Sequence, residues 1–434
     1  MMHFMAKKDD DKAGKLEVAQ GSTQPHYSKS ETMKAITYEG THLMGGKTVA
    51  FGDHPKPIIT HPKDVILKVE LSSISGCDLH MHSGLLPTAD KGQILGHEAV
   101  GMVHEVGTEV ANFKRGNRVV VSLNMACGEC RYCQRQEFSE CDATNDSRLF
   151  GEMYGGTRGP AAIFGYSRLL GGVPGCQAEF VRVPFADVNL YHIPPEVSSE
   201  KAIFVSDIMC TGLHAATLGQ VEQGDTVAVW GLGPVGLMAG FWCLQKGAKR
   251  VIGIDHVSER LRLAHDKFGF ETIDRTGRTT QEVIDRFHEM LPLAKCSGGG
   301  ADVVIEAAGF RFAHSTKSKV EQTLGMQTDS ADILNEMAMC ARKFGRVAIV
   351  GDYIDTSNHF PAGHILQKHL TVRSGFVPVQ HYFSEAMDAL AKNTVDPTVM
   401  VSHRMALQDA PIAYEKLSKY EEGYMKVLLR NTFP

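Results

Sequence analysis

The stretch TVAVWGLGPVG, residues 226–236, decides the fold. It begins as an apolar run typical of a buried strand, passes through a glycine-rich turn and continues directly into the helical segment PVGLMAGFWCLQKG at 234–247. Its glycines have the G-x-G-x-x-G spacing, at Gly231, Gly233 and Gly236. In a strand–turn–helix unit these glycines permit, in order, the tight turn, the approach of the backbone to a pyrophosphate and close packing of helix on strand. The stretch therefore predicts a dinucleotide-binding site. The alternative is a glycine turn in an unrelated α/β domain.

A second apolar run, RVIGID at 250–255, carries an acidic residue at its end. Asp255 lies 19 residues beyond Gly236, where a carboxylate can accept hydrogen bonds from an adenosine ribose. Its negative charge would repel a 2′-phosphate. The sequence therefore predicts NAD, in preference to NADP, as the cofactor.

Buried strands alternate with helical segments on both sides of this unit. Further strands are indicated by ADVVIEAAG at 301–309, GRVAIVG at 345–351 and HLTVRSGF at 369–376. Such alternation is typical of an α/β, doubly wound parallel sheet, so we predict a Rossmann NAD-binding domain over residues 206–372.

The sequence before this domain is rich in short strand patterns. Examples are DVILKVELSSIS at 64–75, AVGMVHEVG at 99–107 and GNRVVVSL at 116–123, separated by glycine, proline and charged turns. We predict a strand-rich barrel over residues 33–205, completed by 373–434. Residues 1–32 lack an apolar pattern and are predicted to be a disordered extension.

Composition excludes several classes of protein. The chain has 434 residues, 43% of them hydrophobic, which is enough for two domains. Its 45 Lys and Arg against 50 Asp and Glu give a net charge of -5, so nucleic acid is not expected as a partner. No apolar run reaches the roughly 20 residues of a membrane span, and the N-terminus lacks the apolar core of a secretion signal. We therefore expect a cytoplasmic protein with reduced thiols.

Four of the ten cysteines form a compact pattern within ACGECRYCQRQEFSEC, residues 126–141. Cys127, Cys130, Cys133 and Cys141 have the spacing C-x2-C-x2-C-x7-C. Four thiolates can close a tetrahedron around zinc and leave no open position, which predicts a structural zinc site. An iron-sulfur cluster and free core cysteines are the alternatives.

Two segments look like insertions into this two-domain arrangement. Residues 142–177 are glycine-rich, and residues 310–330 are polar without a clear period. We predict that both are long loops with little regular structure. Each either serves a binding site or is a plain surface loop.

Together, these motifs resemble a known family. GHE at 96–98, the cysteine pattern, the glycine turn and Asp255 are similar, in order and spacing, to the zinc-dependent medium-chain alcohol dehydrogenases over roughly residues 33–434. The segments VSDIMCTG at 205–212 and GGVPGCQAEFVRVP at 171–184 are most similar to the glutathione-independent formaldehyde dehydrogenase branch. The resemblance implies a GroES-like β-barrel catalytic domain beside the Rossmann domain, an active site between them, and a homodimer or homotetramer.

The resemblance also implies roles for individual residues. His97 matches a catalytic zinc ligand, Glu98 the adjacent acid that can approach the metal, and Asp207 the aspartate that replaces the third ligand in this branch. His80 matches the histidine of the proton relay. For the nucleotide, Thr211 matches a residue near the nicotinamide and Val235 one that packs behind its ring.

One motif departs from the family. Members read I-C-G-S-D-x-H, whereas this chain has Ser75 and Cys77 in exchanged positions before His80. Because a serine hydroxyl is a poor zinc ligand, we predict that Cys77 supplies the thiolate. On an extended segment its side chain would share a face with Ser75. Alternatively, Cys77 fills the relay position and zinc relies on His97, Glu98 and Asp207.

These residues predict a zinc-dependent oxidoreductase that transfers a hydride between a small-molecule alcohol or aldehyde hydrate and NAD. Zinc would stabilise the alkoxide, and His80 would carry the proton towards solvent. Two alternatives remain: a noncatalytic NAD-binding regulator and a zinc-independent reductase of activated double bonds. The sequence does not identify the substrate.

Overall fold

The computed structural model describes residues 23, 25–40, 48–84, 89–156, 158–291, 299–309, 329–354, 356–419, 421 and 423–433. The strands in these ranges are β1 (His26–Tyr38), β2 (Val49–Ile58), β3 (Val65–Ile74), β4 (Ala99–Val106), β5 (Arg118–Val121), β6 (Phe180–Val183), β7 (Leu190–His192), β8 (Thr226–Trp230), β9 (Arg250–Asp255), β10 (Glu271–Asp274), β11 (Ala301–Glu306), β12 (Asp329–Ser330), β13 (Ala341–Ile349), β14 (Ser357–Asn358), β15 (Thr371–Ser374), β16 (Val401–Ala406) and β17 (Lys426–Arg430).

The α-helices in the same ranges are α1 (Gly76–His82), α2 (Arg131–Gln134), α3 (Arg148–Tyr154), α4 (Ala186–Asn189), α5 (Ser199–Ala202), α6 (Ile208–Leu218), α7 (Pro234–Gln245), α8 (Ser258–Phe268), α9 (Thr280–Met290), α10 (Asp332–Cys340), α11 (Ala362–Lys368), α12 (Val379–Ala391) and α13 (Ala410–Ser418). None of these helices combines the length and apolar character that crossing a membrane requires.

A parallel sheet forms the centre of one half of the fold. Its six strands have the order β10-β9-β8-β11-β13-β15, and every neighbouring pair is parallel. All five residues of β8 are buried, which explains the uninterrupted apolar run before the glycine turn. The predicted Rossmann class is confirmed, and the strands expected in 301–309, 345–351 and 369–376 are β11, β13 and β15.

A second sheet, largely antiparallel, forms the other half. It has seven strands in the order β16-β17-β3-β4-β5-β7, with β6 paired to β3. β17 comes from the C-terminal end and pairs antiparallel with β3, so segments before and after the parallel sheet both contribute to this second sheet. That arrangement agrees with the expected barrel, while the boundaries at 33–205, 206–372 and 373–434 stay a prediction.

The structure corrects the expected extent of disorder at the N-terminus. β1 begins at His26 and pairs antiparallel with β2, so residues 26–32 are not a disordered tail. Most of these residues are exposed, and backbone pairing holds the strand without apolar burial. Apolar patterns along the chain therefore do not reveal it. Residues 1–22 and 24 lie outside the described residues.

The first insertion, 142–177, has little regular structure, as predicted. Apart from α3 and a 3-10 turn at Arg168–Leu170, its described residues form loops, and side chains such as Phe164 and Cys176 are buried. A Cβ atom at Gly175 would lie 2.2 Å from the Leu95 carbonyl oxygen, so this glycine permits a close backbone contact. Most of the second insertion, 310–328, lies outside the described residues.

Candidate active site and metal centres

The four cysteines of the predicted structural site lie together. Their sulfur atoms are all within 4.8 Å of one another. The sulfur atoms of Cys127 and Cys133 are 3.9 Å apart, and those of Cys130 and Cys141 are also 3.9 Å apart. Four sulfurs bound at about 2.3 Å to one tetrahedral zinc would lie about 3.8 Å apart. The geometry therefore fits a single ion better than an iron-sulfur cluster, in which several irons separate the thiolates.

Two backbone N–H groups point towards one of these sulfur atoms, that of Cys127. The N–H groups of Glu129 and Cys130 lie 3.4 and 3.3 Å from the Cys127 sulfur. Hydrogen bonds from the Cys133 and Cys141 thiols, followed by these backbone contacts, lower the pKa of Cys127. A thiolate is therefore favoured at this position, as metal binding requires.

A second group of possible ligands is formed by His97, Glu98 and Asp207. One ligand atom from each lies within 4.8 Å of the others, and His97 Nε2 is 3.1 Å from Asp207 Oδ2. His97 and Glu98 directly precede β4, whereas Asp207 caps α6. The family resemblance predicted these three residues as a metal site, and the fold places them next to one another.

The electrostatics of this group favour a bound cation. Burial alone lowers the pKa of His97, but the contact with Asp207 outweighs it and raises the pKa to about 9. Burial raises the pKa of Glu98, and its Oε1 atom has no hydrogen-bond partner in the part of the chain that the structure describes. Carboxylates that stabilise a proton on His97 would equally stabilise a metal ion, so the donor set fits zinc.

Sequence reasoning missed two partners of Glu98. Its Oε2 atom accepts hydrogen bonds from the Ser73 hydroxyl and from the ammonium group of Lys426, which is 2% exposed. Lys426 lies on β17, and no motif marks it. The buried cation compensates the charge of Glu98, which would otherwise be costly at this depth.

The structure corrects the predicted backbone of the exchanged pair. Ser75 and Cys77 do not lie on an extended segment, because α1 begins at Gly76. The Ser75 hydroxyl caps the helix: it donates to Asp78 Oδ2 at 2.9 Å and accepts from the Asp78 N–H. The pattern S-x-x-D could have predicted this cap. The Ser75 side chain therefore serves as the N-terminal cap of α1.

Cys77, the second residue of α1, is partly buried. Burial, followed by the charges of Asp352 and Asp207, raises the pKa of its thiol well above the ordinary value. Among the described residues, its sulfur is not part of the mutually close ligand group. Its assignment as a zinc ligand stays a prediction.

The predicted relay histidine has an acidic neighbour that sequence reasoning missed. His80 Nδ1 lies 3.3 Å from Asp352 Oδ2. The same carboxylate oxygen accepts a hydrogen bond of 3.0 Å from the Tyr166 hydroxyl. Asp352 follows β13, so the contact joins the parallel-sheet half of the fold to the half that contains the largely antiparallel sheet.

The glycine turn has the backbone geometry expected from its sequence. Gly231 has a φ of +87°, which favours glycine. A Cβ atom at Gly236 would lie 1.8 Å from the Gly231 carbonyl oxygen, so helix and turn touch. Gly233 caps α7 and has open space around its Cα, and Val235 is the second residue of that helix. The turn can accept a pyrophosphate at the N-terminus of α7.

Asp255 holds the turn through its carboxylate, and its predicted contact with the ribose stays a prediction. Its Oδ2 atom accepts from the Leu232 N–H at 2.6 Å, and Oδ1 accepts from the N–H groups of His256 and Val257 at 2.6 and 2.9 Å. Arg260 Nη1 lies 3.7 Å from Oδ2. The carboxylate therefore connects the end of β9 to the glycine turn.

Thr211 contacts one member of the group of possible metal ligands, Asp207. Its hydroxyl donates to Asp207 Oδ1 at 2.5 Å from the first turn of α6. This hydrogen bond orients Asp207. The predicted contact of Thr211 with the nicotinamide stays a prediction.

Known proteins share this architecture. Residues 61–195 match the alcohol dehydrogenase GroES-like domain. A zinc-type alcohol dehydrogenase-like protein of Schizosaccharomyces pombe is 48% identical over 96% of this chain and 96% of its own length. The chain belongs to the zinc-type alcohol dehydrogenase family. It is therefore an oxidoreductase, as predicted from the sequence.

Two further similarities bear on this family assignment. The solved alcohol dehydrogenase of Thermus sp. ATN1 is 32% identical, with a TM-score of 0.75 over 92% of this chain and all of its own. The glutathione-independent formaldehyde dehydrogenase of Pseudomonas aeruginosa is 31% identical over 86% of this chain and 93% of its own. The resemblance to that branch is confirmed, at a lower identity than to the Schizosaccharomyces protein.

Proposed function

We propose that this alcohol dehydrogenase transfers a hydride between a small alcohol or aldehyde hydrate and NAD, with one catalytic and one structural zinc. The observation that carries the proposal is the buried donor group of His97, Glu98 and Asp207. Its nitrogen and carboxylate donors suit zinc, and Lys426 compensates the charge of one carboxylate.

The chain's own residues hold the reactants and move the proton. When bound, zinc supplies Lewis acidity to the substrate oxygen, and NAD accepts the hydride. His97, Glu98, Asp207 and Cys77 would hold the metal, while Thr211 orients Asp207. His80 takes the hydroxyl proton of the alcohol. Cys127, Cys130, Cys133 and Cys141 would hold the structural zinc.

Metal analysis and turnover test this function together. We expect two zinc ions per chain by mass spectrometry, and NADH formation with members of a panel of alcohols and aldehydes. NAD binding without turnover of any of them would support the noncatalytic regulator instead. Turnover that survives complete removal of the catalytic zinc, with activated double bonds as substrates, would support the reductase.

For the nucleotide, we propose NAD because Asp255 puts a negative charge where NADP carries its 2′-phosphate. Arg260 lines the same cleft as Gly231 and Gly233, and an arginine at this place can accommodate that phosphate, so NADP is the second candidate. We expect kcat/KM to be at least about tenfold higher with NAD, equivalent to about 1.4 kcal/mol.

Two variants separate the charges around the ribose. Asp255→Asn should reduce the preference for NAD over NADP, while its side-chain oxygen can still accept the hydrogen bond from the Leu232 N–H. Arg260→Gln should leave NAD turnover nearly unchanged if NAD is the working cofactor. Equal kcat/KM with NAD and NADP in the parent enzyme would contradict the assignment.

We also propose a homodimer or homotetramer formed through an edge of the parallel sheet. β15 is the last strand in the sheet order, and all four of its residues are exposed. Large apolar side chains around it are exposed too, with Leu366 at 77% and Phe344 at 65%. Such edges favour pairing with a second chain. Light scattering tests the mass, and Val372→Lys should weaken the assembly.

Cytoplasmic location is a proposal as well. All nine cysteines in the described ranges are free thiols, which suits a reducing compartment. Cell fractionation with an antibody to the protein tests it.

A further inference from the structure

The carboxylate of Asp352 lies beside the relay histidine, although the two residues belong to different halves of the fold. Asp352 follows the carboxyl end of β13, and His80 is on α1. The distance from Asp352 Oδ2 to His80 Nδ1 is 3.3 Å. Both side chains are mostly buried, with 19% and 13% of their surfaces exposed. The two atoms are therefore in close contact at a place that is largely shielded from solvent.

The position of Asp352 is itself held. The Tyr166 hydroxyl donates to the oxygen that faces His80, at 3.0 Å, and Tyr166 is 4% exposed. Gly309 keeps the space behind the Asp352 backbone open, since a Cβ there would lie 3.2 Å from the Asp352 carbonyl oxygen. The carboxylate therefore has a defined place and is not a freely moving surface group.

A carboxylate at one ring nitrogen determines what the other nitrogen does. It favours a proton on Nδ1, which leaves Nε2 with a lone pair that can accept another proton. It also stabilises the imidazolium that forms when Nε2 is protonated. Hydrogen-bond distances of such pairs are often long in the absence of substrate and shorten in the reactive complex.

We propose that Asp352 is a positioning residue for His80, which rests on the proposed dehydrogenase function. The Asp352 carboxylate keeps His80 in the tautomer with Nδ1 protonated. During oxidation the alcohol hydroxyl gives its proton to His80 Nε2, its carbon gives a hydride to NAD, and the carbonyl forms between them. Because Asp352 comes from the nucleotide-binding half, His80 is set for proton transfer only when both halves of the fold are together.

Kinetics of an isosteric variant test the proposal. Asp352→Asn should lower kcat for alcohol oxidation about 10- to 100-fold, with the dissociation constant of NAD changed less than twofold. Asp352→Glu should recover part of the lost kcat. Tyr166→Phe, which loosens the carboxylate but keeps its charge, should have a smaller effect of about 2- to 10-fold.

The histidine tautomer gives a readout without turnover. Nitrogen-15 histidine spectra of the full chain, with the His80 signal assigned by His80→Gln, should show the proton on Nδ1 in the parent protein and a shift towards Nε2 in Asp352→Asn. If the variant keeps the parent tautomer and kcat, the proposal is wrong, even if it melts at a lower temperature. If the parent turns over no alcohol, the dehydrogenase function fails, while the spectra still decide the role of Asp352.

Discussion

At the scale of single residues, the exchanged Ser75 and Cys77 distinguish this chain from the family pattern. The Ser75 hydroxyl is occupied by the cap of α1, so it is not available to a metal. Cys77 lies in the acidic surroundings of Asp207, which raise the pKa of its thiol after the larger effect of burial. A bound zinc ion would reverse that effect, since a coordinated thiol loses its proton.

The first prediction separates the two residues. Cys77→Ala should bind one zinc fewer per chain and keep the structural zinc, because a thiolate ligand is lost from one site. Ser75→Ala should keep both zinc ions but lose about 1 kcal/mol of unfolding free energy with the helix cap. Mass spectrometry of the metal and urea unfolding measure these outcomes. If Cys77→Ala retained both ions, Cys77 would not be a ligand.

At the scale of secondary structure elements, α7 depends on its contact with the glycine turn. The close approach of Gly236 to the Gly231 carbonyl would let the N-terminus of α7 face the pyrophosphate of the proposed cofactor. The cysteine lobe, residues 126–141, contains little regular structure besides α2 and a 3-10 turn at Phe138–Glu140. We therefore expect its stability to depend on a metal ion bound by its four thiols.

The second prediction concerns α7. In Gly236→Ala the new methyl group must push the turn away, so we expect the dissociation constant of NAD to rise at least tenfold and the unfolding free energy to fall by about 1–3 kcal/mol. Gly363→Ala in α11 is the matched control: nothing lies within 4 Å of the place that its methyl group would take, so NAD binding should not change and the unfolding free energy should stay the same or rise by up to about 1 kcal/mol. Calorimetric titration with NAD and urea unfolding measure them. Tight NAD binding by Gly236→Ala would refute the assigned role of the turn.

The third prediction concerns the cysteine lobe. Cys130→Ser should lose one zinc and lower the melting temperature, because the binding energy of a structural metal contributes to folding. Cys243→Ala removes a buried thiol of α7 outside both metal groups and should keep both ions. If Cys130→Ser bound one zinc fewer and were as stable as the parent protein, the structural role would be contradicted. An iron-sulfur absorption band in the parent protein would show that the four cysteines hold an iron-sulfur cluster and not zinc.

At the scale of the whole molecule, the packing of α6 against α12 buries a titratable group. His214 Nδ1 lies 3.1 Å from the Tyr382 hydroxyl, and the ring is buried. Burial lowers the pKa of His214 to about 4. Because the unfolded chain binds this proton more readily, the stability due to neutral His214 is full above about pH 6.5 and is lost as the pH falls towards 4.

The fourth prediction follows from this loss of stability at low pH. Between pH 7 and pH 5 the parent protein should lose about 2 kcal/mol more unfolding free energy than His214→Gln, which cannot take up the proton. Urea unfolding of both proteins at the two pH values measures the difference. The same loss in both proteins would show that His214 is already charged or exposed in the fold.

The sequence by itself determined the features that depend on short spacings. The glycine turn, Asp255 and the cysteine pattern each lie within a short segment, so their chemistry follows from local geometry, and together they indicated the family and the Rossmann sheet. Tertiary structure alone decided which distant residues meet. Lys426 on β17 contacts Glu98, Asp352 in the segment after β13 contacts His80, and residues 26–32 belong to the strand that pairs with β2. Such contacts depend on how sheets pack and pair, and no periodicity along the chain records that information.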